Sequence, residues 1–242
     1  MDVDIKDEEK FEEDNIENQD EEQIKIKIRL GFIRKVYGII FIQVLITTIC
    51  TYFAVTKVAV SSFLINNPNL WIIAFIGLLA TEIPIICCRR VARKVPINYI
   101  LLLIFTLCES YFVVSLTLEF EPMSVLLAAG LTVVVVLGLT IYAMFTKSDI
   151  TLCGGTLFVF SLLLLILSIV GIFFRNYFFQ TLIDCLGLLL FSAYLIYDIQ
   201  MLIGNKSKKF SEDDYIFAAL QIYLDIIYLF LKIMKLFGKK KK

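Results

Sequence analysis

Five acidic side chains stand inside long apolar runs: Glu82, Glu109, Asp184, Asp198 and Asp225. An acid at mid-membrane costs roughly 2.5–3.5 kcal/mol on insertion scales, so such residues face a bundle interior, pair, and mark routes for ions or protons. Asp198 lies in "AYLIYDIQMLIG" and Asp225 in "QIYLDIIYLF", on consecutive apolar runs joined by the polar linker "GNKSKKFSEDD". On antiparallel neighbours both fall in the same half of the membrane, offset by about one turn at a rise of about 1.5 Å per residue, and contact between them stays open. If they meet, two carboxylates in a dry site cannot both ionise cheaply, and the pair shares a proton. Losing that proton turns a hydrogen-bonded latch into a repelling, cation-attracting pair. The chain has no His, so carboxylates must carry any response to pH near neutrality.

Further ionisable groups surround this pair in the sequence. Gln221, Asp225, Tyr228 and Lys232 recur at helical spacing and stack on one face. Lys232 either joins that polar stripe or snorkels to the interface. Arg89 and Arg93 follow Glu82 on the same helical face, so either reaches toward an acid at the mouth of the bundle or serves as a basic anchor. Asp184 precedes Asp198 by about four turns on nearly the same face, where it extends a polar path or sits at the interface.

The elements that must position these groups are membrane helices. With 242 residues, 59% of them hydrophobic, and a mean hydropathy of +0.84, the chain is too apolar for a soluble domain. Runs long enough to cross about 30 Å of hydrocarbon occur near 36–56, 70–87, 97–118, 123–145, 150–174, 177–203 and 215–237. Short separators make antiparallel neighbours of them. The fold expected is an all-α integral membrane protein, a compact bundle of seven transmembrane helices, the seventh either spanning or re-entrant.

Charge divides the chain further. Residues 1–23 carry twelve Asp and Glu against two Lys, a block read as an acidic disordered cytosolic tail. Being acidic, it is neither a signal peptide nor a transit peptide. A basic juxtamembrane segment follows over 24–35, the transmembrane domain over 36–238, and a basic tail over 239–242. With a cytosolic N-terminus the inside segments hold thirteen bases and the outside loops only Lys57 and Arg175, as the positive-inside rule requires. Only the terminal "KKKK" breaks the count if the seventh run crosses. Lys239 and Lys240 also have the spacing of a dilysine retrieval signal, readable only from the cytosol. The six cysteines read as buried free thiols.

The segments "FIRKVYGIIFIQ", "PINYILLLIFTLCES", "LTIYAMFTKSD", "LIYDIQMLIG" and "SEDDYIFAALQIYLDIIYLF", in this order over about Arg29 to Phe237, resemble the transmembrane Bax inhibitor-1 motif family, its Lifeguard and Golgi anti-apoptotic branch most of all. The resemblance implies a seven-helix, pH-responsive calcium leak channel of endoplasmic reticulum or Golgi membranes that lowers stored calcium and restrains apoptosis. It implies Asp198 and Asp225 as the proton-sharing pair and transient calcium ligands, Asp213 as a functional acid ahead of the seventh helix, and Glu82 with one of Arg89, Arg90 and Arg93 as groups tied to the aspartates. Asp184 and Lys232 have no counterpart in it. Lys232 beside the pair would weaken cation conduction or hold Asp225 ionised. Expected partners are the lipid bilayer, calcium, protons and apoptosis-regulator membrane proteins, with no nucleic acid and no resident cofactor. A non-conducting scaffold binding apoptosis regulators is the alternative. An enzyme is not expected: an intramembrane aspartyl protease would need Gly-x-Gly-Asp at its second site, where Tyr223-Leu224-Asp225 stands, and a later Pro, whereas none follows Pro122. The absence of His removes metalloprotease and serine–histidine chemistry.

Overall fold

Apolar segments fold as helices in lipid because each backbone N–H and C=O is then bonded within its own segment. The computed structural model describes the backbone of residues 2–173 and 176–241, with side chains from residue 19 onward within them; Arg175 lies outside the described residues. The helices are α1 (Asp2–Thr56), α2 (Val58–Asn66), α3 (Asn69–Cys87), α4 (Arg89–Arg93), α5 (Ile97–Thr117), α6 (Pro122–Phe145), α7 (Gly154–Phe173), α8 (Tyr177–Ile203) and α9 (Tyr215–Phe237). A 3-10 turn, Ile150–Cys153, leads into α7. Seven of these, α1, α3, α5, α6, α7, α8 and α9, are long and apolar enough to cross a membrane.

Helix ends follow local chemistry. Pro122 opens α6, where its missing N–H has no helical partner to lose. Asn176 caps α8 by accepting the Phe178 N–H at 3.0 Å. Gly204, at φ 75, closes α8 in the left-handed region that glycine enters without steric cost. The acidic segment, expected to lack a fold, instead has helical backbone from Asp2 as the start of α1; Glu and Lys are good helix formers and acids suit a helix N-terminus. The short helices α2 and α4 were not expected, being below the length that marks a span.

Burial is arranged inside out relative to a soluble protein. Phe41, Val134, Phe158, Ile172 and many other large apolar side chains face outward, where lipid would meet them. The polar Gln43, Thr47, Asn98, Thr106, Glu109, Ser110, Asp198, Gln200 and Asp225 are buried. At the centre stands α9, packed against α8, α1, α6 and α5.

α9 also settles the path of the seventh run. It begins beside Arg93 of α4, which binds Asp214. It ends against the α5–α6 corner, where Lys239 C=O accepts the Glu121 N–H and Lys241 N–H donates to Glu119 C=O. The corner lies at the far end of α5 from α4, so α9 crosses the bundle; its 23 residues extend about 34 Å at 1.5 Å each. The re-entrant alternative is therefore corrected: the long apolar run has no breaker to turn it back.

Candidate functional site

Asp198 on α8 and Asp225 on α9 are 2% and 6% exposed, and their carboxyl groups are neighbours across the α8–α9 seam. Sequence left this contact open because of the depth mismatch. The helices resolve it by stagger: five residues separate Asp198 from Ile203 and ten separate Tyr215 from Asp225, so α9 overhangs the end of α8 by about 7 Å on the face that holds the 204–214 loop. Asp198 Oδ1 and Asp225 Oδ2 find no donor from the protein. Two carboxyls can bond each other only if one carries a proton.

The other predicted residues divide around this pair. Lys232 binds neither aspartate of the dyad; its Nζ donates to Asp184 Oδ1 at 2.7 Å. Lys232 therefore neither snorkels nor sits on Asp225, and Asp184 ends in an ion pair instead of extending a path to Asp198. The cause is reach: Lys232 lies two turns beyond Asp225 along α9, and its side chain runs on past Gly187 to Asp184, about four turns from Asp198 on the antiparallel α8. Gly187 opposite leaves room for it, since a Cβ there would lie 2.6 Å from Lys232 Cε. Glu109 on α5 is buried and faces Glu82 on α3 within electrostatic range. Tyr228 packs its ring 4.8 Å from that of Phe191, joining α9 to α8 one turn beyond Asp225.

At the face where α8 ends, Arg93 forks onto Asp214 at 2.7 and 3.0 Å and reaches Asp213 only at 3.8 Å. The hydrogen bond and charge of Asp214 raise the Arg93 guanidinium above its ordinary range. No arginine of the cluster ties to the dyad or to Glu82: Arg89 and Arg90 stay exposed, and α4 holds Arg93 against the start of α9, short of the buried pair. Asp213 is a peripheral acid. Nearby, hydrogen bonds from Ser207 and Thr151 hold the Asp149 carboxyl down at about 2, which fastens the α6–α7 linker to the 204–214 loop.

Among the described residues no three of Cys, Asp and Glu are grouped to hold a metal ion. Calcium takes six to eight oxygens at a resident site, so two carboxyls suit passing contact with a cation, not storage. The cysteines are free as expected, but Cys87, Cys88, Cys153 and Cys185 are exposed and not buried; they point out of the bundle from helix surfaces and ends.

Residues 29–242 match the sequence profile of the family described as inhibitor of apoptosis-promoting Bax1. The chain belongs to that family. It is 34% identical to human Protein lifeguard 3 over 218 residues, covering 88% of this chain and 70% of the relative. Mouse Protein lifeguard 3 is likewise 34% identical, over 88% and 71% of the two chains. Mouse Protein lifeguard 4 is 33% identical over 210 residues, 87% of this chain and 85% of the relative.

The family match begins at Arg29, a residue that sequence reasoning counted only as one of the thirteen inside bases. Its guanidinium donates to Met201 C=O at 2.6 Å, Phe210 C=O at 2.7 Å and Ile203 C=O at 3.2 Å, and pairs with Glu212 at 3.1 Å. It thereby caps the end of α8 beneath the overhang of α9, a favourable place for a cation. No signal in sequence could show this, because its partners are mainly backbone carbonyls. A second group was legible and missed. Gln43 and Thr47 on α1, and Thr106 and Ser110 on α5, repeat at i and i+4. Gln43 Nε2 donates to Thr106 Oγ1 at 3.0 Å, and Thr47 Oγ1 meets Ser110 Oγ at 3.0 Å and the Tyr223 hydroxyl at 2.7 Å. This ladder joins α1, α5 and α9.

Proposed function

We infer that the chain is a pH-responsive calcium leak of endoplasmic reticulum or Golgi membranes, its N-terminus cytosolic, that lowers stored calcium and so restrains apoptosis. The observation that carries this reading is the pair Asp198 and Asp225, buried together with two oxygens that no protein donor satisfies. An unsatisfied buried acceptor costs about 1–3 kcal/mol, a cost that a proton shared between the two carboxyls or a passing cation would offset. With the shared proton in place, the pair fastens α8 to α9. Without it, two negative charges repel across the same seam and present hard oxygen ligands to a cation. The family's description, inhibitor of apoptosis-promoting Bax1, supports the link to apoptosis.

The test is calcium release from loaded liposomes carrying the purified chain. Wild type releases calcium with a rate that varies with pH, and Asp198→Asn with Asp225→Asn reduces the release and flattens its pH profile. Equal release from both proteins overturns the channel reading and returns the chain to the scaffold alternative.

A further inference from the structure

Two of the exposed cysteines, Cys87 and Cys88, are adjacent in the chain. Cys87 is the last residue of α3, and at Cys88 the backbone leaves the helix, with φ −112 and ψ 82, before α4 begins. The pair thus marks the place where a membrane span ends. On the membrane side, Ile83 and Ile86 face outward at 53% and 44% exposure. On the other side stand the exposed Arg89, Arg90 and Lys94. The corner is held in position, since Ala92 is buried and Arg93 forks onto Asp214. Both thiols are therefore fixed at a junction between an apolar flank and a cationic one.

That junction matches one kind of reagent, an amphiphile with a long apolar chain and a polyanionic head. We propose that Cys87 and Cys88 are a site of S-acylation by a long-chain fatty acyl-coenzyme A, transferred by a membrane acyltransferase at the cytosolic surface. Each thiol gives up its proton and its sulfur forms a thioester bond with the acyl carbonyl carbon. The bond from that carbon to the coenzyme A sulfur breaks, and coenzyme A leaves as the thiol with the proton. No electrons are exchanged with another reagent. The acyl chain then lies along Ile83 and Ile86 in the lipid, and Arg89, Arg90 and Lys94 face the phosphates of the departing head. Two chains anchor a segment where one binds only marginally, so the vicinal pair would pin the α3–α4 corner and, through Arg93, the start of α9. The remaining cysteines lack the junction. Cys185 is eight residues inside α8, Cys153 is alone on a 3-10 turn, and Cys50 and Cys108 are half-buried.

The site rests on the basic face being cytosolic and is independent of calcium flux. The full chain is expressed in cells fed an alkyne-bearing palmitate analogue, beside Cys87→Ser with Cys88→Ser and, separately, Cys153→Ser. Label is expected on wild type and on the Cys153 variant, released by neutral hydroxylamine, and lost to background in the double variant. Acyl-exchange mass tagging should add two tags to wild type and to Cys153→Ser, and one to Cys87→Ser alone or Cys88→Ser alone. Both positions are exposed, so serine leaves the fold intact, which a matching monodisperse profile in detergent confirms. The proposal fails if wild type carries no label while acylated proteins of the same cells do, or if the double variant keeps it. It fails equally if the modification is removed by reductant alone, the signature of a disulfide between the two thiols.

Discussion

Lys232 and Asp184 hold opposite charges 2.7 Å apart with 16% and 15% of their side chains exposed, and each would be expensive to keep in this setting without the other. Breaking such a pair from one side leaves an uncompensated buried charge and costs about 3–5 kcal/mol, whereas replacing both ends by apolar groups is often neutral or better. Lys232→Met alone is therefore expected to lower the melting temperature in detergent sharply, and Lys232→Met with Asp184→Leu to recover most of the loss. Additive losses would show that Lys232 has another partner. The same reasoning separates this pair from the dyad. Asp225→Asn keeps a donor for Asp198 and is expected to be tolerated by the fold, which is why asparagine serves in the flux test.

Among the elements, α8 depends on how its last turn is closed. The Arg29 fork satisfies Met201, Ile203 and Phe210 carbonyls together, and hydrogen bonds to charged groups contribute about 1.5–3 kcal/mol. Arg29→Ala is expected to destabilise by that order and to speed amide exchange over residues 199–204. Arg29→Lys should recover only part, because a single ammonium cannot reproduce the planar fork. Gly204→Ala attacks the same closure from the other side: φ 75 disfavours a side chain, and a Cβ would lie 2.7 Å from Arg29 Nε. Unchanged exchange in Arg29→Ala would remove Arg29 from the closure of α8.

For the whole molecule, the tail decides the topology. Lys239 pairs with Glu121 at 2.9 Å and Lys240 with Glu119 at 3.4 Å, beside an antiparallel bridge from Phe120 to Lys240. This clasp lies on the face opposite the 204–214 loop, so the tail that broke the positive-inside count finds acids there. In sealed microsomes, tags in the 204–214 loop and at the C-terminus are expected on opposite sides of the membrane, one digested by added protease and one protected. Digestion of both would refute the crossing of α9. On this topology Lys239 and Lys240 are not displayed as a dilysine signal with the basic loops, and changing both to Ser should leave the protein's membrane distribution unaltered.

The seven spans were legible in the amino-acid order because crossing a bilayer is a local demand: about 20 apolar residues in a row satisfy it whatever surrounds them. The buried acids were legible for the same reason, a charge in such a run being conspicuous on its own. Their partners were not. Whether Asp225 meets Asp198 or Lys232, and whether Lys232 meets Asp184, depends on the rotation and stagger of α8 against α9. A shift of one residue turns a side chain by about 100° around its helix, at 3.6 residues per turn, and no local pattern records it. Arg29 was illegible because it binds carbonyls, which every residue has. Composition determined that this chain lives in a membrane with carboxylates inside it; the packing of α8 on α9 alone decided which carboxylates meet each other and which one meets a lysine.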